Sequence, residues 1–277
     1  MNYSNIKVRG YNKELFSIPA FDVVWSTMPD GLPHFEVVNH NGVKECIITA
    51  RIKNGDDFFR LFMLCGVLTD LNIKYSIDLI YLSASRMDRP TKDLVCPPTL
   101  RYFAVLLKSI EVYSVLGAHS TSTIDLINPR YHLQCFDFYD ESIKMFEEKY
   151  GPTSIVIPDL GSVKRFKDLE GLNSRNIVYC DKVRDVQTGK LSSFKILAGT
   201  PTENCLIIDD LCDGGGTFKG QSSILRENGA KNIGLSVIHG IFSKGTLKPE
   251  IDWVSCTDSF EDEYNPFVVD YVMKLLN

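Results

Sequence analysis

Short apolar runs alternate with longer amphipathic runs along most of this 277-residue chain. ECIITARI precedes GDDFFRLFMLCGVLTDL, YSIDLIYLS precedes PPTLRYFAVLLKSI, and CLIIDDL precedes TFKGQSSILRENGA. The first run of each pair is short and largely apolar, which is typical of a strand buried on both faces, whereas the second has the length and pattern of a helix. Such strands, separated by helices, indicate parallel sheets covered on both sides. The pattern predicts an α/β protein.

Two sets of these alternating runs fit the chain, which predicts two domains. We place the first domain in residues 1–137 and the second in residues 138–258, each as a mainly parallel sheet flanked by helices. The remaining residues, 259–277, contain NPFVVDYVMKLLN, which we predict to be a closing helix.

Composition narrows the class of partner and the cellular setting. The formal net charge is −5, and acidic and basic residues are mixed along the chain, so no footprint for a nucleic acid polymer is visible. No apolar run reaches the roughly 20 residues that cross a bilayer, so we expect no membrane association. The eight cysteines form no C-x-x-C pair and MNYSNIKVRG lacks the layout of a signal peptide, which predicts a reduced, cytoplasmic protein.

The stretch LIIDDLCDGGGTF, residues 206–218, joins acids to glycines at the end of a predicted strand. Three glycines before a helix allow a tight turn and expose backbone amides beside the positive end of the helix, which favours an anion such as phosphate. Asp209 and Asp210 would repel a phosphate unless they hold hydroxyl groups or Mg²⁺. A ligand that carries both a phosphate and neighbouring hydroxyl groups, such as ribose 5-phosphate, would suit both the glycines and the acids. An acidic turn with a glycine helix entry is the structural alternative.

Polar segments follow four other predicted strands: YLSASRMDRP, GAHSTS, PDLGS and DKVRD. Ligands of open parallel sheets collect outside the carboxyl ends of the strands, where loops lead into helices. We therefore expect functional residues in these segments as well.

LIIDDLCDGGGTF resembles the ribose-phosphate motif shared by type I phosphoribosyltransferases and phosphoribosyl pyrophosphate synthetases. The resemblance implies that two acids meet the ribose hydroxyls and that the following loop grips the 5′-phosphate. The residues implied in ribose-phosphate binding are Asp209, Asp210, Asp213, Gly214, Gly215, Gly216 and Thr217.

YLSASRMDRP favours the synthetases, because it resembles an ATP-binding element that the transferases lack. The resemblance implies that Arg86, Asp88 and Arg89 bind ATP, and guanidinium groups suit a triphosphate because each offers a rigid fork of donors. MPDGLPHFEV is similar to a segment that contacts adenine from a neighbouring subunit, which implies that Phe35 and Glu36 contact ATP.

Three further segments resemble the synthetases in the same order along the chain. GAHSTS implies that His119 binds Mg²⁺ together with ATP, and IVIPDLGSVKRF implies that Asp159 is associated with the metal. YCDKVRD implies a catalytic basic pair, Lys182 and Arg184, and the polar residues after it predict a flap. SVIHGIFSKG is also similar to a segment of the family, although we assign its His239 a structural role.

The chain is thus identified as a divergent, N-terminally shortened member of the phosphoribosyl pyrophosphate synthetase, or ribose-phosphate pyrophosphokinase, family. The resemblance implies two phosphoribosyltransferase-like domains, the first binding ATP and the second ribose phosphate. It also implies a homo-oligomer that transfers the β,γ-diphosphate of ATP, with Mg²⁺, to the anomeric 1-hydroxyl of a ribose 5-phosphate unit and releases AMP.

The sequence departs from the family at several points. Gly214 stands where the phosphate loop has threonine, Met87 stands where the ATP element has glutamine, and the opening strand and helix are not evident. Because glycine leaves room beside the 5′-phosphate, ADP-ribose is an alternative acceptor, which would give an ADP-ribose pyrophosphate for NAD resynthesis. A type I phosphoribosyltransferase is the second alternative. A catalytically silent relative is disfavoured, because the basic pair is present.

Overall fold

A computed structural model describes residues 5–10, 20–88, 98–166, 169, 172, 175–184, 191–261 and 268–269, with the backbone alone at 183–184, 191–192 and 268–269. The described residues form two compact units that divide between Gln134 and Cys135. Residues 259–261 belong to the N-terminal unit. No helix in the described part of the chain is long and apolar enough to cross a membrane.

The N-terminal unit contains a five-stranded sheet in the order β1-β4-β5-β6-β7, in which only the β1–β4 pair is antiparallel. A separate antiparallel hairpin is formed by β2 and β3. The strands are β1 (Ile6–Gly10), β2 (Asp22–Thr27), β3 (Pro33–Val38), β4 (Glu45–Ile52), β5 (Lys74–Leu82), β6 (Val112–Leu116) and β7 (Tyr131–Leu133). The helices are α1 (Gly55–Asp70), a 3₁₀ helix (Ser83–Arg86), α2 (Thr99–Leu107) and α3 (Thr121–Ile127).

Helix α1 shows how the sequence determines these elements. Asn54 accepts a hydrogen bond from the backbone of Asp57, and the Asp57 side chain accepts one from the backbone of Asn54, which is a capping box. Leu61, Leu64 and Leu68 then recur at helical spacing and are fully buried, so this face of the helix packs into the core.

The C-terminal unit contains a seven-stranded sheet in the order β10-β9-β8-β11-β12-β13-β14, in which only the β9–β10 pair is antiparallel. Its strands are β8 (Ser154–Ile157), β9 (Ile177–Arg184), β10 (Leu191–Ala198), β11 (Asn204–Cys212), β12 (Asn232–Gly240), β13 (Trp253–Thr257) and β14 (Val268–Val269). Its helices are α4 (Phe136–Tyr150), α5 (Leu160–Phe166) and α6 (Gly216–Glu227).

Strand β8 is the topological switch point of this sheet, because later strands pair with both of its edges. The next parallel strand in sequence, β9, pairs with one edge of β8, whereas β11 pairs with the other. Loops that leave neighbouring strands on opposite sides open a crevice outside their carboxyl ends, which is where open α/β sheets bind ligands. We therefore expect the ligand site at the segments after β8 and at the end of β11.

The predicted α/β class with mainly parallel sheets is confirmed. Residues 6–10 form a strand that was not predicted from the sequence. A short edge strand carries little periodic signal, which explains the omission. DKVRD does not follow its strand but continues it to Arg184, as the first strand of a hairpin. The predicted domain boundary at 137/138 falls three residues beyond the division between the compact units.

Within the predicted closing helix, residues 259–277, the structure contains a short strand at Val268–Val269 that pairs with β13. Two β-branched residues next to an open sheet edge favour strand pairing over helix. The residues that follow them lie outside the described part of the chain, and their helix stays a prediction.

Two glycines should respond to alanine in opposite directions. A Cβ atom at Gly234 on β12 would lie 2.6 Å from the Phe146 ring and 2.7 Å from Leu206, whereas a Cβ at exposed Gly66 in α1 would meet nothing within 4 Å. We expect Gly234→Ala to lower the free energy of unfolding by about 1–3 kcal/mol. Gly66→Ala should raise it by about 0.5–1 kcal/mol through helix propensity. Urea denaturation measures both, and equal effects would contradict the packing described at Gly234.

Candidate active site

Two acids at the end of β11, the partly buried Asp209 and the buried Asp210, share one cation. Asp209 and Asp210 each accept a hydrogen bond from the same guanidinium nitrogen of Arg165 on α5, at 2.8 and 2.7 Å. Burial would lower the pKa of Arg165, but the two carboxylates raise it above its ordinary value. The hydroxyl of Tyr139 on α4 donates to the backbone oxygen of Asp209 at 2.7 Å, so α4 also holds this strand end.

A second ion pair lies at the carboxyl end of β8. The Lys182 ammonium on β9 contacts Asp159 at 3.0 Å, and both side chains are about three-quarters buried. Burial acts to raise the pKa of Asp159, but the hydrogen bond and charge of Lys182, with hydrogen bonds from Ser162, lower it below its ordinary value. The Ser162 hydroxyl lies 3.1 Å from Asp159 and 3.2 Å from Asp209, so it connects the two ion pairs.

The connected cluster carries an excess of negative charge, because it contains three carboxylates and two cationic side chains. Burial and the charge of Asp210 raise the pKa of Asp209 to about 8, while Arg165 acts in the opposite direction. Such a cluster accepts either a proton or an added cation. Its oxygen donors fit a hard divalent ion such as Mg²⁺, which keeps waters and needs only one or two carboxylates. Among the described residues, no group of three or more His, Cys, Asp or Glu side chains is arranged to hold a metal ion.

Residues 213–217, hereafter the phosphate loop, connect β11 to the N-terminus of α6. Gly215 caps the helix with φ of 74°, and a Cβ atom there would lie 2.2 Å from Leu247, so only glycine fits. A Cβ at Gly216 would meet nothing within 4 Å, which leaves the first turn of α6 open to a ligand. At Gly214 the space is not open, because three side-chain carbons of Lys244 lie 3.1–3.3 Å from the position of a Cβ.

Helix α6 also packs against the hairpin that carries Lys182. Phe194 on β10 pairs directly with Lys182 across the hairpin, and its ring lies against Gly220 of α6. A Cβ atom at Gly220 would lie 2.0 Å from this ring, so the close approach of hairpin and helix requires glycine.

In the N-terminal unit, the loops after β5 and β6 are joined by side-chain hydrogen bonds. The Ser120 hydroxyl donates to Asp88 at 2.6 Å, and Ser120 also caps α3. Arg86 is exposed at the end of the 3₁₀ helix, and His119 is half-buried directly before Ser120. The structure thus brings Asp88 and the His119 segment together, whereas Arg89 lies outside the described residues. The ATP and metal roles of these side chains stay predictions.

Three other predicted site residues lie elsewhere in the two units. Phe35 is 8% exposed and belongs to the core of the N-terminal unit, with its ring 4.9 Å from Trp25. Glu36 is on the opposite face of β3 and is exposed. Arg184 ends β9, and its side chain lies outside the described part.

Known proteins similar to this chain include phosphoribosylpyrophosphate synthetases. A crystal structure of phosphoribosylpyrophosphate synthetase from Mycobacterium smegmatis matches the fold with a TM-score of 0.74, covering 92% of this chain and 88% of that one at 19% identity. No protein-family model matches. A ribose-phosphate pyrophosphokinase from Pyrococcus furiosus is 25% identical over 236 residues, which span 83% of this chain and 82% of that protein. The chain is similar to ribose-phosphate pyrophosphokinases. Another relative of that name, from Mycoplasmopsis pulmonis, is 32% identical over 178 residues, 61% of this chain and 53% of its own length.

Sequence reasoning missed several residues that organise this site. Arg165 and Ser162 lie in the IVIPDLGSVKRF segment but were not singled out, although two adjacent acids at a buried strand end require a buried cation nearby. Tyr139 and Lys244 lie far from the acids in sequence, so no local signal could have identified their contacts.

Removing Arg165 should destabilise the C-terminal unit strongly. We expect Arg165→Met to lower the free energy of unfolding by about 3 kcal/mol or more, because two buried carboxylates lose their shared partner. Lys231→Ala is a suitable control, since its ion pair with Glu203 is exposed and should contribute less than about 1 kcal/mol. Guanidinium denaturation of both variants measures the difference. A loss in Arg165→Met no larger than in the control would show that the acids do not depend on this cation.

Proposed function

We propose that this protein is a pyrophosphokinase that transfers the β,γ-diphosphate of ATP to the anomeric 1-hydroxyl of a ribose 5-phosphate unit. The similarity to proteins named ribose-phosphate pyrophosphokinase supports this activity. The observation that carries the proposal is the connected cluster at the carboxyl ends of β8, β9 and β11, in which Lys182–Asp159 and Arg165–Asp209/Asp210 lie beside the phosphate loop.

The phosphate loop and the acids suit the two ends of one sugar phosphate. Backbone amides at the start of α6 and the positive end of the helix favour the 5′-phosphate. Asp209 and Asp210 are acceptors for the ribose 2- and 3-hydroxyls, and Arg165 fixes their orientation. Asp213 and Thr217 are the first and last residues of the loop, and the Asp213 carboxylate accepts a hydrogen bond from the hydroxyl of Ser243.

The reaction breaks one bond of ATP and forms one new ester. The 1-hydroxyl oxygen attacks the β-phosphorus, the bond from that phosphorus to the oxygen bridging to the α-phosphorus breaks, the hydroxyl proton is lost and AMP leaves. Catalysis of such transfers rests mainly on positioning and on neutralising charge on the phosphoryl oxygens. An ammonium has three donors, so Lys182 can contact phosphoryl oxygens in addition to Asp159.

We propose Mg²⁺ as the divalent ion, held by Asp159 with the acidic pair nearby, and His119 as a further contact of the metal with ATP. The ion would supply charge neutralisation to the polyphosphate. Arg86, Asp88, Arg89, Phe35 and Glu36 remain the proposed ATP contacts, and Arg184 the proposed partner of Lys182. A homo-oligomer also stays a prediction, which sedimentation velocity can test.

The acceptor can be identified directly. The purified protein is incubated with ATP and Mg²⁺ and with either ribose 5-phosphate or ADP-ribose, and AMP release and product masses are measured. We expect a ribose 5-phosphate product heavier by one diphosphate. A product from ADP-ribose alone would favour the capped acceptor. A type I phosphoribosyltransferase would instead release diphosphate when it is incubated with phosphoribosyl pyrophosphate and a nucleobase. That result, together with no AMP release from ATP, would favour this alternative.

Lys182 should be needed for turnover but not for folding. We expect Lys182→Ala to lower kcat by on the order of 10²-fold or more, because charge on the transferring group is then less well neutralised. Lys195→Ala, on the paired strand of the same hairpin and exposed, is the control and should keep normal turnover. Steady-state AMP release and circular dichroism check both variants. Normal turnover in Lys182→Ala would remove its catalytic role.

A further inference from the structure

Residues 241–247, hereafter the Lys244 loop, follow β12 and are fastened onto the phosphate loop. The backbone amides of Ile241 and Phe242 both donate to the backbone oxygen of Cys212, at 2.8 and 3.2 Å. The Ser243 hydroxyl donates to Asp213. At the far end of the loop, buried Leu247 packs on Gly215. The two loops therefore form one surface at the start of α6.

Lys244 extends along the face of Gly214 on this surface. Its Cδ, Cε and Cγ atoms lie 3.1, 3.3 and 3.3 Å from the position that a Cβ atom of residue 214 would occupy. Its Nζ atom is one C–N bond beyond Cε and is therefore within about 5 Å of the same position. A Cβ atom at position 214 would require the Lys244 side chain to move by a few tenths of an ångström, and a larger side chain would move it further, so Gly214 and Lys244 form a matched pair.

The chemistry of the pair points to phosphate. A glycine at position 214 supplies no hydroxyl donor to a bound phosphate, whereas the ammonium of Lys244 supplies three donors and a positive charge. Lysine beside a glycine-rich loop at a helix N-terminus is well suited to phosphate oxygens, because its charge adds to the backbone amides and the helix dipole.

We propose that Lys244 binds phosphate oxygens on the 5′ side of the acceptor, and that Gly214 is the residue that lets it do so. This inference rests on the proposed function and adds a specificity residue to that site. Either the terminal phosphate of ribose 5-phosphate or the diphosphate of ADP-ribose presents the required oxygens, and parallel measurements with the two acceptors distinguish them.

Three variants separate the charge of Lys244 from its packing. Lys244→Met keeps an unbranched side chain of similar length, Lys244→Ala removes both packing and charge, and Lys244→Arg keeps the charge. Lys248→Ala, at an exposed position four residues later, is the control. KM for the acceptor, KM for ATP and kcat are measured for each by AMP release, and affinity for ribose 5-phosphate and ADP-ribose by calorimetry.

We expect Lys244→Met and Lys244→Ala to raise KM for the acceptor by about tenfold, while KM for ATP and kcat change less than about twofold. Lys244→Arg should recover most of the affinity, and Lys248→Ala should match the wild type. Added salt should weaken acceptor binding less in Lys244→Met than in the wild type, because one phosphate contact is lost. A Met variant with normal acceptor affinity would overturn the proposal.

Gly214→Thr provides an independent check. This substitution should displace Lys244, so Lys244→Met should have little further effect in its background, as residues that act together are not additive. Additive losses would contradict the pairing. If the wild type binds an acceptor but releases no AMP, the proposed function fails while the calorimetric comparison still decides the role of Lys244. If it binds neither acceptor, both fail.

Discussion

The sharing of one guanidinium by Asp209 and Asp210 is the interaction on which the rest of the C-terminal site depends. Carboxylates at a buried strand end are stable only if a cation and hydrogen bonds compensate their lost hydration. Arg165 provides that cation from α5, the helix that follows β8, and thereby fixes the helix against the end of β11. Ser162 of the same helix extends the contact to Asp159 and, through it, to Lys182.

This cluster differs from the buried ion pair of the N-terminal unit in where its acids lie along their strand. Asp78 lies in the middle of β5, where it binds Arg9 at 3.1 Å and accepts from Ser114 on the neighbouring strand β6. Burial raises the pKa of Asp78, although Ser114 and Arg9 act against it. That pair joins three strands in the interior of a sheet. The acids of β11 stand instead at the carboxyl end, where the adjoining loop and helix N-terminus give them access to a ligand.

Local sequence patterns predicted a large part of this structure. Alternating apolar and amphipathic runs predicted the main strands and helices, because burial on two faces or on one stripe leaves a clear period. Acids and glycines after an apolar run predicted the end of β11 and the phosphate loop. What could not be predicted depends on contacts distant in sequence: the donation from Tyr139 to Asp209, the lysine beside Gly214, and the pairing that places Lys182 inside a hairpin. The packing of Phe35 against Trp25 was not predicted either, since the two rings lie on different strands of the hairpin.

The contact between Phe194 and Gly220 has a consequence for how the C-terminal unit can change through evolution. Residue 194 faces Lys182 across the hairpin, and residue 220 lies one turn into the helix that begins at the phosphate loop. Because the ring leaves no room for even a methyl group at position 220, packing of the ring against the helix helps to set the separation between the loop and the lysine. Glycine is thus required at position 220 because the helix and the ring lie so close together, although residue 220 has no side chain that could act on a ligand. A larger residue there could be accepted only together with a smaller one at position 194.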